Sequence, residues 1–274
     1  MFLFLKLKSF IVNIKDFITI TIPSILYKID KEEKKLVKQI AKGSNRFVGS
    51  GVGYHEGEIT PRWTSGGINH THQFLVSAGI LILEHDKKIK HFYKDNAASI
   101  MLEYADMPDL DDVGTAFASH FWDPDTNKNF LGMTSPTGKT RFIEYYNAAV
   151  NTYSNDKQTA YQYLGRALHY LADIGQPHHA SNQIAGLTNH GDFEQWVDER
   201  RVNYLITSSN KYSICENYSL AGIFRYLAVF SKSYKELVED DNNWDIIAIE
   251  TMKYTQKYIA GILYRFLLDV NVIE

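Results

Sequence analysis

The chain of 274 residues lacks several features that would assign it to a common class of protein. Cys215 is its only cysteine, so an internal disulfide and a zinc site built from thiolates are both excluded. The apolar runs at residues 1–8 and 17–27 are shorter than the roughly 18 residues that a membrane span needs. Strand patterns are scarce and no internal repeat is found. Any metal bound by side chains must therefore use imidazole and carboxylate groups.

Charge divides the chain into a basic leader and an acidic body. Residues 1–62 carry 11 Lys/Arg and 6 Asp/Glu, whereas residues 63–274 carry 18 and 26. An acidic body argues against a nucleic-acid scaffold, which normally has a basic face, although carboxylates that bind metals would offset part of the charge. We therefore expect no nucleic-acid partner.

Residues 1–62 are interpreted as a leader and propeptide-like segment that ends in a linker. An atypical signal peptide, a mis-assigned start and a peripheral amphipathic helix are alternative interpretations of its first thirty residues. Residues 43–60 are rich in glycine, as linkers are, and the boundary lies near Pro61-Arg62-Trp63. Residues 63–274 are expected to form the functional domain.

Apolar residues recur with helical periodicity from Trp63 onward, which predicts an all-α domain. Residues 106–131 are expected to form a polar loop region with a short helix, and such loops often carry functional residues. Helices are expected at residues 72–86, 97–104, 137–153, 161–173, 192–206, 219–238 and 244–270.

Residues 169–179, with the sequence HYLADIGQPHH, are the most informative stretch. His169 and Asp173 are four residues apart on one face of a predicted helix, so their side chains can bind the same cation. Gly175 and Pro177 are typical of a helix end. The turn that they predict would let the histidines after it face a second cation.

Other histidines and carboxylates extend this set. His190 and Glu194 repeat the four-residue spacing on the next helix. Imidazole and carboxylate without thiolate favour zinc over manganese or iron. Two or more zinc ions joined by a bridging carboxylate are the usual apparatus for hydrolysing phosphate esters. The candidate ligands are His72, Asp106, His120, His169, Asp173, His179, His190 and Glu194.

From Trp63 to about Val270 the chain resembles the zinc-dependent phospholipases C of Gram-positive bacteria. The resemblance implies a compact multi-helix domain of the phospholipase C and zinc-nuclease type, with three zinc ions in one cleft and a mature form that begins with tryptophan. It rests on Pro61-Arg62-Trp63, Thr71-His72, Ile82-Leu83-Glu84, Asp106, the segment FASHFWDPD at 117–125, Leu168-His169-Tyr170, Asp173, Gln176-Pro177, His179, and His190 with Glu194.

The resemblance also implies a role for each motif residue. Asp106 would in addition be the base that orients the attacking water, and Phe117 would belong to an aromatic substrate site. His178 is interpreted as a neighbour of the ligands or as a surface residue. The first zinc would be held by Asp106, His120, His169 and Asp173, the second by His179, His190 and Glu194, and the third by the amino group and carbonyl of Trp63 with His72, bridged through Asp173.

The activity that the resemblance implies is phospholipase C, a phosphoric diester hydrolase. A secreted monomer would act at phospholipid membrane surfaces and release diacylglycerol and a phosphorylated head group from phosphatidylcholine, related lipids or sphingomyelin; some members of this family are toxins. Met107 and Gly66 stand where enzymes of this family carry choline-site residues, so the preferred head group is left open. Tyr104, Phe121 and Trp122 are interpreted either as contacts to the bilayer or as core residues.

The leader has a mechanistic interpretation through Trp63. An amide nitrogen cannot bind the third zinc, so the chain would be latent until a protease cuts the Arg62–Trp63 bond. An extension without a regulatory role is the alternative.

Two other functions were weighed. A single-strand nuclease of the same fold is disfavoured because the gap from Trp63 to His72 is nine residues and the last pair is His190/Glu194, where those nucleases use about five residues and an aspartate. A non-catalytic surface protein with structural zinc is disfavoured because every ligand and the base are present.

Overall fold

The computed structural model describes residues 70–274, and the predictions for the leader, Trp63 and Gly66 lie outside this range. The all-α prediction is confirmed, because the described residues contain helices and no β-strand apart from two isolated bridges. The helices are α1 (Thr71–Lys87), α2 (Ala97–Tyr104), α3 (Met107–Asp111), α4 (Gly138–Thr152), α5 (Lys157–Ile174), α6 (Pro177–Ala180), α7 (His190–Arg200), α8 (Tyr212–Asn217), α9 (Leu220–Lys232) and α10 (Trp244–Asp269).

Helix α5 lies at the centre of the packing. Its N-terminus is capped by Asp156, which accepts a hydrogen bond from the Thr159 N–H, and every residue from Ala167 to Ile174 is buried. Helices α2 and α4 pack against it, while α1 packs against α10. Gly165 allows the close approach of α2, because a Cβ at this position would lie 2.6 Å from the Met101 carbonyl oxygen. The metal-ligand candidates on α5 therefore stand in a rigid interior.

Two predicted helices differ from the structure at their ends. The segment expected at 192–206 begins at His190, ends at Arg200 and continues as a 3₁₀ turn, Arg201–Tyr204. The segment expected at 219–238 ends at Lys232. There the Ser233 hydroxyl donates to the Phe230 carbonyl at 2.6 Å, a local bond that competes with another helical turn. The turns that follow, residues 233–240, bring Val238 next to α7.

Among the described helices, none is both long and apolar enough to cross a bilayer. Three 3₁₀ turns besides Arg201–Tyr204 connect the helices, at His91–Tyr93, Gly114–His120 and Asp241–Asn243. The second of them falls in the region predicted as a polar loop with a short helix, which the structure resolves into α3, this turn and tight loops up to residue 137. The loop region lies directly beside the histidines of α5 and α6.

Candidate metal centre

Asp173 is the centre of a buried cluster of imidazoles. Its Oδ2 atom lies 2.8 Å from His120 Nδ1 and 3.1 Å from His169 Nε2, and its Oδ1 atom lies 3.3 Å from His72 Nε2. The rings of His72 and His169 are stacked with centroids 4.1 Å apart. All four side chains are buried. A carboxylate with imidazole nitrogens at both oxygens has the arrangement of a bridging ligand between two cations.

The carboxylate that completes the first group is Asp109. Its Oδ1 atom lies 3.6 Å from His120 Nδ1 and 3.7 Å from His169 Nε2. Asp109, His120 and His169 form one of three groups in the described residues whose ligand atoms lie within 4.8 Å of one another. Asp106, which the resemblance places here, belongs to none of these groups. Its Oδ2 atom accepts a hydrogen bond from Gln73 Nε2 at 2.7 Å.

The position of α3 explains this difference. Asp106 is the N-cap residue of α3, and Asp109 follows one helical turn later, behind Pro108. Asp106, Asp109 and Asp112 recur at intervals of three residues, so all three can lie on one side of a short helix. The sequence pattern alone gives no basis for choosing among them. The assignment of Asp106 as a ligand stays a prediction, and Asp109 is the carboxylate that lies near the histidines in the structure.

The electrostatics of the first cluster favour a bound cation. Burial alone would lower the pKa of His169, but Asp173 and Asp109 outweigh it and raise this pKa to about 9. Burial and the charge of Asp109 raise the pKa of Asp106 to about 7. Although burial opposes ionisation of Asp173, His169 and His179 hold its pKa well below the ordinary value. The charge of Asp173 is thus stabilised by the neighbouring imidazoles, a role that a divalent ion would take over when bound.

The second group contains His179, His190 and Glu194. Glu194 Oε1 lies 3.2 Å from His179 Nε2 and 2.8 Å from His190 Nε2. The opposite ring nitrogens face backbone carbonyls, because His179 Nδ1 is 3.0 Å from the oxygen of His120 and His190 Nδ1 is 2.9 Å from that of Gln183. Each Nδ1 can therefore donate its proton to a carbonyl, and both Nε2 atoms are directed at the Glu194 carboxylate.

This donor set fits a metal ion. The two imidazoles meet the carboxylate at hydrogen-bond distance, and a cation bound among the three groups would take the place of the shared Nε2 protons. The Oε2 atom of Glu194 is buried and has no hydrogen-bond partner in residues 70–274, which leaves it available as a further ligand atom. Burial would raise the pKa of Glu194, but His190 and the hydrogen bond from His179 lower it to about 2. Imidazole and carboxylate ligands of this kind suit zinc.

Polar groups behind the ligands hold them in place. Gln176 caps α6, since its Oε1 atom accepts from the backbone N–H groups of His178 and His179, and its Nε2 donates to Glu194 Oε1 at 3.3 Å. Asp112 accepts a hydrogen bond from the Tyr170 hydroxyl at 2.7 Å and lies 3.5 Å from His120 Nε2. Sequence reasoning did not single out Gln176 or Asp112 for these contacts, because both act across helices.

The remaining candidates have distinct positions. Phe117 is half-buried, with its ring 5.1 Å from that of His120. Phe121 and Trp122 are buried, which supports the core interpretation for both, whereas Tyr104 is half-buried. The seven predicted ligands that the structure assembles with Asp109 are His72, His120, His169, Asp173, His179, His190 and Glu194.

Comparison with known proteins identifies the family. Residues 71–260 match the family described as zinc dependent phospholipase C, and the chain belongs to this family. It is 31% identical over 239 residues to a phospholipase C of Clostridium perfringens, which covers 73% of this chain and 59% of that protein. It is 28% identical over 229 residues to a phospholipase C of Bacillus cereus, covering 74% of this chain and 78% of that protein. The resemblance stated from the sequence is confirmed.

The fold also matches solved structures. The alpha toxin from Clostridium absonum superposes with a TM-score of 0.68 and 24% identity, covering 77% of this chain and 68% of that chain. An alpha toxin of Clostridium perfringens gives a TM-score of 0.66 at the same identity. The chain spans about three fifths of the length of the clostridial relatives that it matches in sequence.

Proposed function

We propose that this protein is a zinc metallophospholipase C that hydrolyses the glycerol-side phosphodiester of phospholipids to diacylglycerol and a phosphorylated head group. The observation that carries the proposal is the assembly of seven predicted ligands and Asp109 into three buried groups, two of which share His169. Three such groups support three zinc ions per chain. The sequence relatives named phospholipase C support the reaction.

The chain's own residues supply the remaining chemistry. Zinc ions, when bound, lower the pKa of water and stabilise negative charge on phosphate oxygens. Asp109 contributes a ligand oxygen to the first site and accepts the proton of the attacking water, which it orients toward phosphorus. Asp173 holds two sites at a fixed separation, because His72 contacts one of its oxygens and His120 the other.

The alternative function is a zinc-dependent single-strand nuclease. A metal site that hydrolyses phosphodiesters could act on a phospholipid or on DNA, so an assay is needed to distinguish the two functions. The form starting at Trp63 should hydrolyse phosphatidylcholine micelles, with sphingomyelin and single-stranded DNA as comparison substrates. We expect diacylglycerol release that a chelator abolishes and no DNA cleavage. Cleavage of DNA without lipid hydrolysis would replace the phospholipase proposal with the nuclease.

The head-group preference depends on which aspartate is the ligand. If Asp109 is the ligand, the position that directly follows the ligand aspartate is occupied by Leu110, which is exposed. If Asp106 is the ligand, that position is occupied by Met107. Neither is the tyrosine that the family resemblance associates with choline. Phe117 remains the aromatic group nearest to the first site, 5.1 Å from the His120 ring. A head group bound mainly through its phosphate is therefore proposed, with phosphatidylcholine and related lipids as substrates.

Exposed apolar residues near the metal groups support action at a lipid surface. Val113, Leu131 and Leu187 are 67%, 48% and 81% exposed. Each stands next to a glycine with positive φ, at 64°, 78° and 80°, which places it in a tight turn. The turn at Leu131 adjoins the second group, because Phe130 packs against Phe121, and the Phe121 ring stacks on His179 at 4.5 Å. The turn at Leu187 lies between Gln183 and His190, which are 2.9 Å apart. Val113 follows Asp112, which lies 3.5 Å from His120 in the first group. We propose that these side chains enter the bilayer.

Serine at these positions should weaken membrane binding without affecting the chemistry. Replacing Leu131 or Leu187 is expected to raise the dissociation constant for phosphatidylcholine vesicles at least about tenfold for each leucine, since burial of a leucine contributes about 1.5–3 kcal/mol. Hydrolysis of a monomeric short-chain phosphatidylcholine should stay unchanged. Tyr226→Ser, at an exposed aromatic of α9, is the control. Unaltered vesicle binding in the leucine variants would contradict the proposed surface.

Export, a monomeric state and activation by cleavage before Trp63 remain part of the proposal. Two solved structures with this fold are alpha toxins of Clostridium absonum and Clostridium perfringens, and their names support export of this chain. The leader and Trp63 lie outside the described residues, so their contribution is tested by comparing the two forms of the chain, as discussed below.

A further inference from the structure

His178 lies directly behind a ligand of the second group. Its side chain is fully buried in α6, between the ligand His179 and the cap residue Gln176. The His178 ring is parallel to the ring of His190, with centroids 4.8 Å apart and an interplanar angle of 4°. A flat ring stacked on a ligand restricts rotation of that ligand about its own side-chain bonds, because tilting would bring the two rings into contact.

Asn189 fixes the orientation of the His178 ring. The Asn189 Nδ2 group donates to the Val238 carbonyl at 2.8 Å, so its Oδ1 atom must face His178, where it lies 2.9 Å from Nε2. His178 Nε2 therefore carries a proton and donates it to Asn189. The Trp244 indole N–H donates to the same Val238 carbonyl at 2.8 Å. The turn after α9 thus holds Asn189 in place, and Asn189 in turn fixes the His178 ring beside His190.

Aromatic packing supports the other side of His178. The Phe193 ring lies 5.7 Å from the His178 ring and packs edge-on against Trp244 at 5.6 Å. A continuous series of ring contacts therefore runs from Trp244 through Phe193 and His178 to His190. The Nε2 atom of His190 then faces Glu194 Oε1, at 2.8 Å.

We infer that His178 is a positioning residue that holds the His190 imidazole in the orientation needed to bind the second metal ion. The role combines the stacked ring with the hydrogen bond to Asn189. This inference rests on the metal set proposed above for His179, His190 and Glu194, but not on the identity of the substrate. It concerns metal affinity, which is measured without lipid.

The test measures zinc retained per chain in a series of buffered free zinc concentrations. His178→Leu removes the flat ring and the donor, and we expect the second site to bind zinc 10- to 100-fold more weakly, as for other residues that orient metal ligands. His178→Phe keeps the ring face but not the donor, so it should recover part of the loss. His91→Phe is the matched control, since His91 is a half-buried histidine bound to Tyr153 and Tyr161.

Two further measurements separate positioning from general damage. In a Glu194→Ala background, which itself should lose one zinc ion, His178→Leu should cause no additional loss. If Glu194→Ala retains all its zinc, the proposed second site fails independently of His178. Asn189→Leu should weaken zinc retention in the same direction as His178→Phe, which provides the test should His178→Leu not fold without metal. Retention identical to the unmodified protein in both His178 variants, or a loss undiminished in the Glu194→Ala background, would overturn the inference.

Discussion

Asp109→Asn is expected to lower the rate of phosphodiester hydrolysis about 10³-fold, whereas Asp106→Asn should change it by about tenfold or less. Asparagine has nearly the same shape as aspartate but carries no negative charge and is a poor base. Asp109 lies within 3.8 Å of imidazole nitrogens of His72, His120 and His169. Asp106 instead accepts a hydrogen bond from Gln73, which an asparagine oxygen can also accept.

The measurement is the hydrolysis rate of each variant together with its zinc content and its circular dichroism. Asp109→Asn should keep the helical spectrum and bind zinc more weakly at one site, because one of the ligand charges is lost. The two variants control for each other, since they make the same substitution at positions one helical turn apart. A severe loss in Asp106→Asn with a nearly normal Asp109→Asn would assign ligand and base to Asp106, as the sequence resemblance implies.

The sequence alone predicts the ligand pairs whose two residues lie on the same helix. His169 and Asp173 share α5, and His190 and Glu194 share α7, so helix geometry alone brings each pair together at 3.1 Å and 2.8 Å. Stacking of His72 on His169 depends instead on how α1 meets α5. Periodicity predicts both helices but not their packing, and only the family resemblance placed His72 beside Asp173 of α5.

The contacts that sequence reasoning did not supply form between different elements. Choosing Asp109 over Asp106 requires the position of the first turn of α3 relative to α5, which a run of nearby aspartates does not specify. The role of His178 depends on Val238, whose carbonyl binds Asn189 only because α9 ends at Lys232 and the chain turns back. The sequence predicts α9 to continue to residue 238, and a helix there would remove this support.

Latency is the other prediction with a large expected effect, and it depends on the third zinc site. His72 Nε2 lies 3.3 Å from Asp173 Oδ1, and the third member of this group, His169, also belongs to the first site. Two ligands and a shared histidine make a weak, open site for zinc, which normally has four ligands. The free amino group and carbonyl of Trp63 are proposed to complete it.

The form that starts at Met1 should therefore bind fewer zinc ions than the form that starts at Trp63, since an amide nitrogen has no lone pair to offer a metal. We expect hydrolysis of phosphatidylcholine micelles by the longer form to be at least about tenfold slower. Both forms are purified side by side and compared for zinc content and rate. Cleavage after Arg62 should restore both quantities, and a precursor with Arg62→Gln, treated with the same trypsin-like protease, should stay slow. Equal zinc and equal rates in the two forms would mean that the leader serves only for export or as a linker.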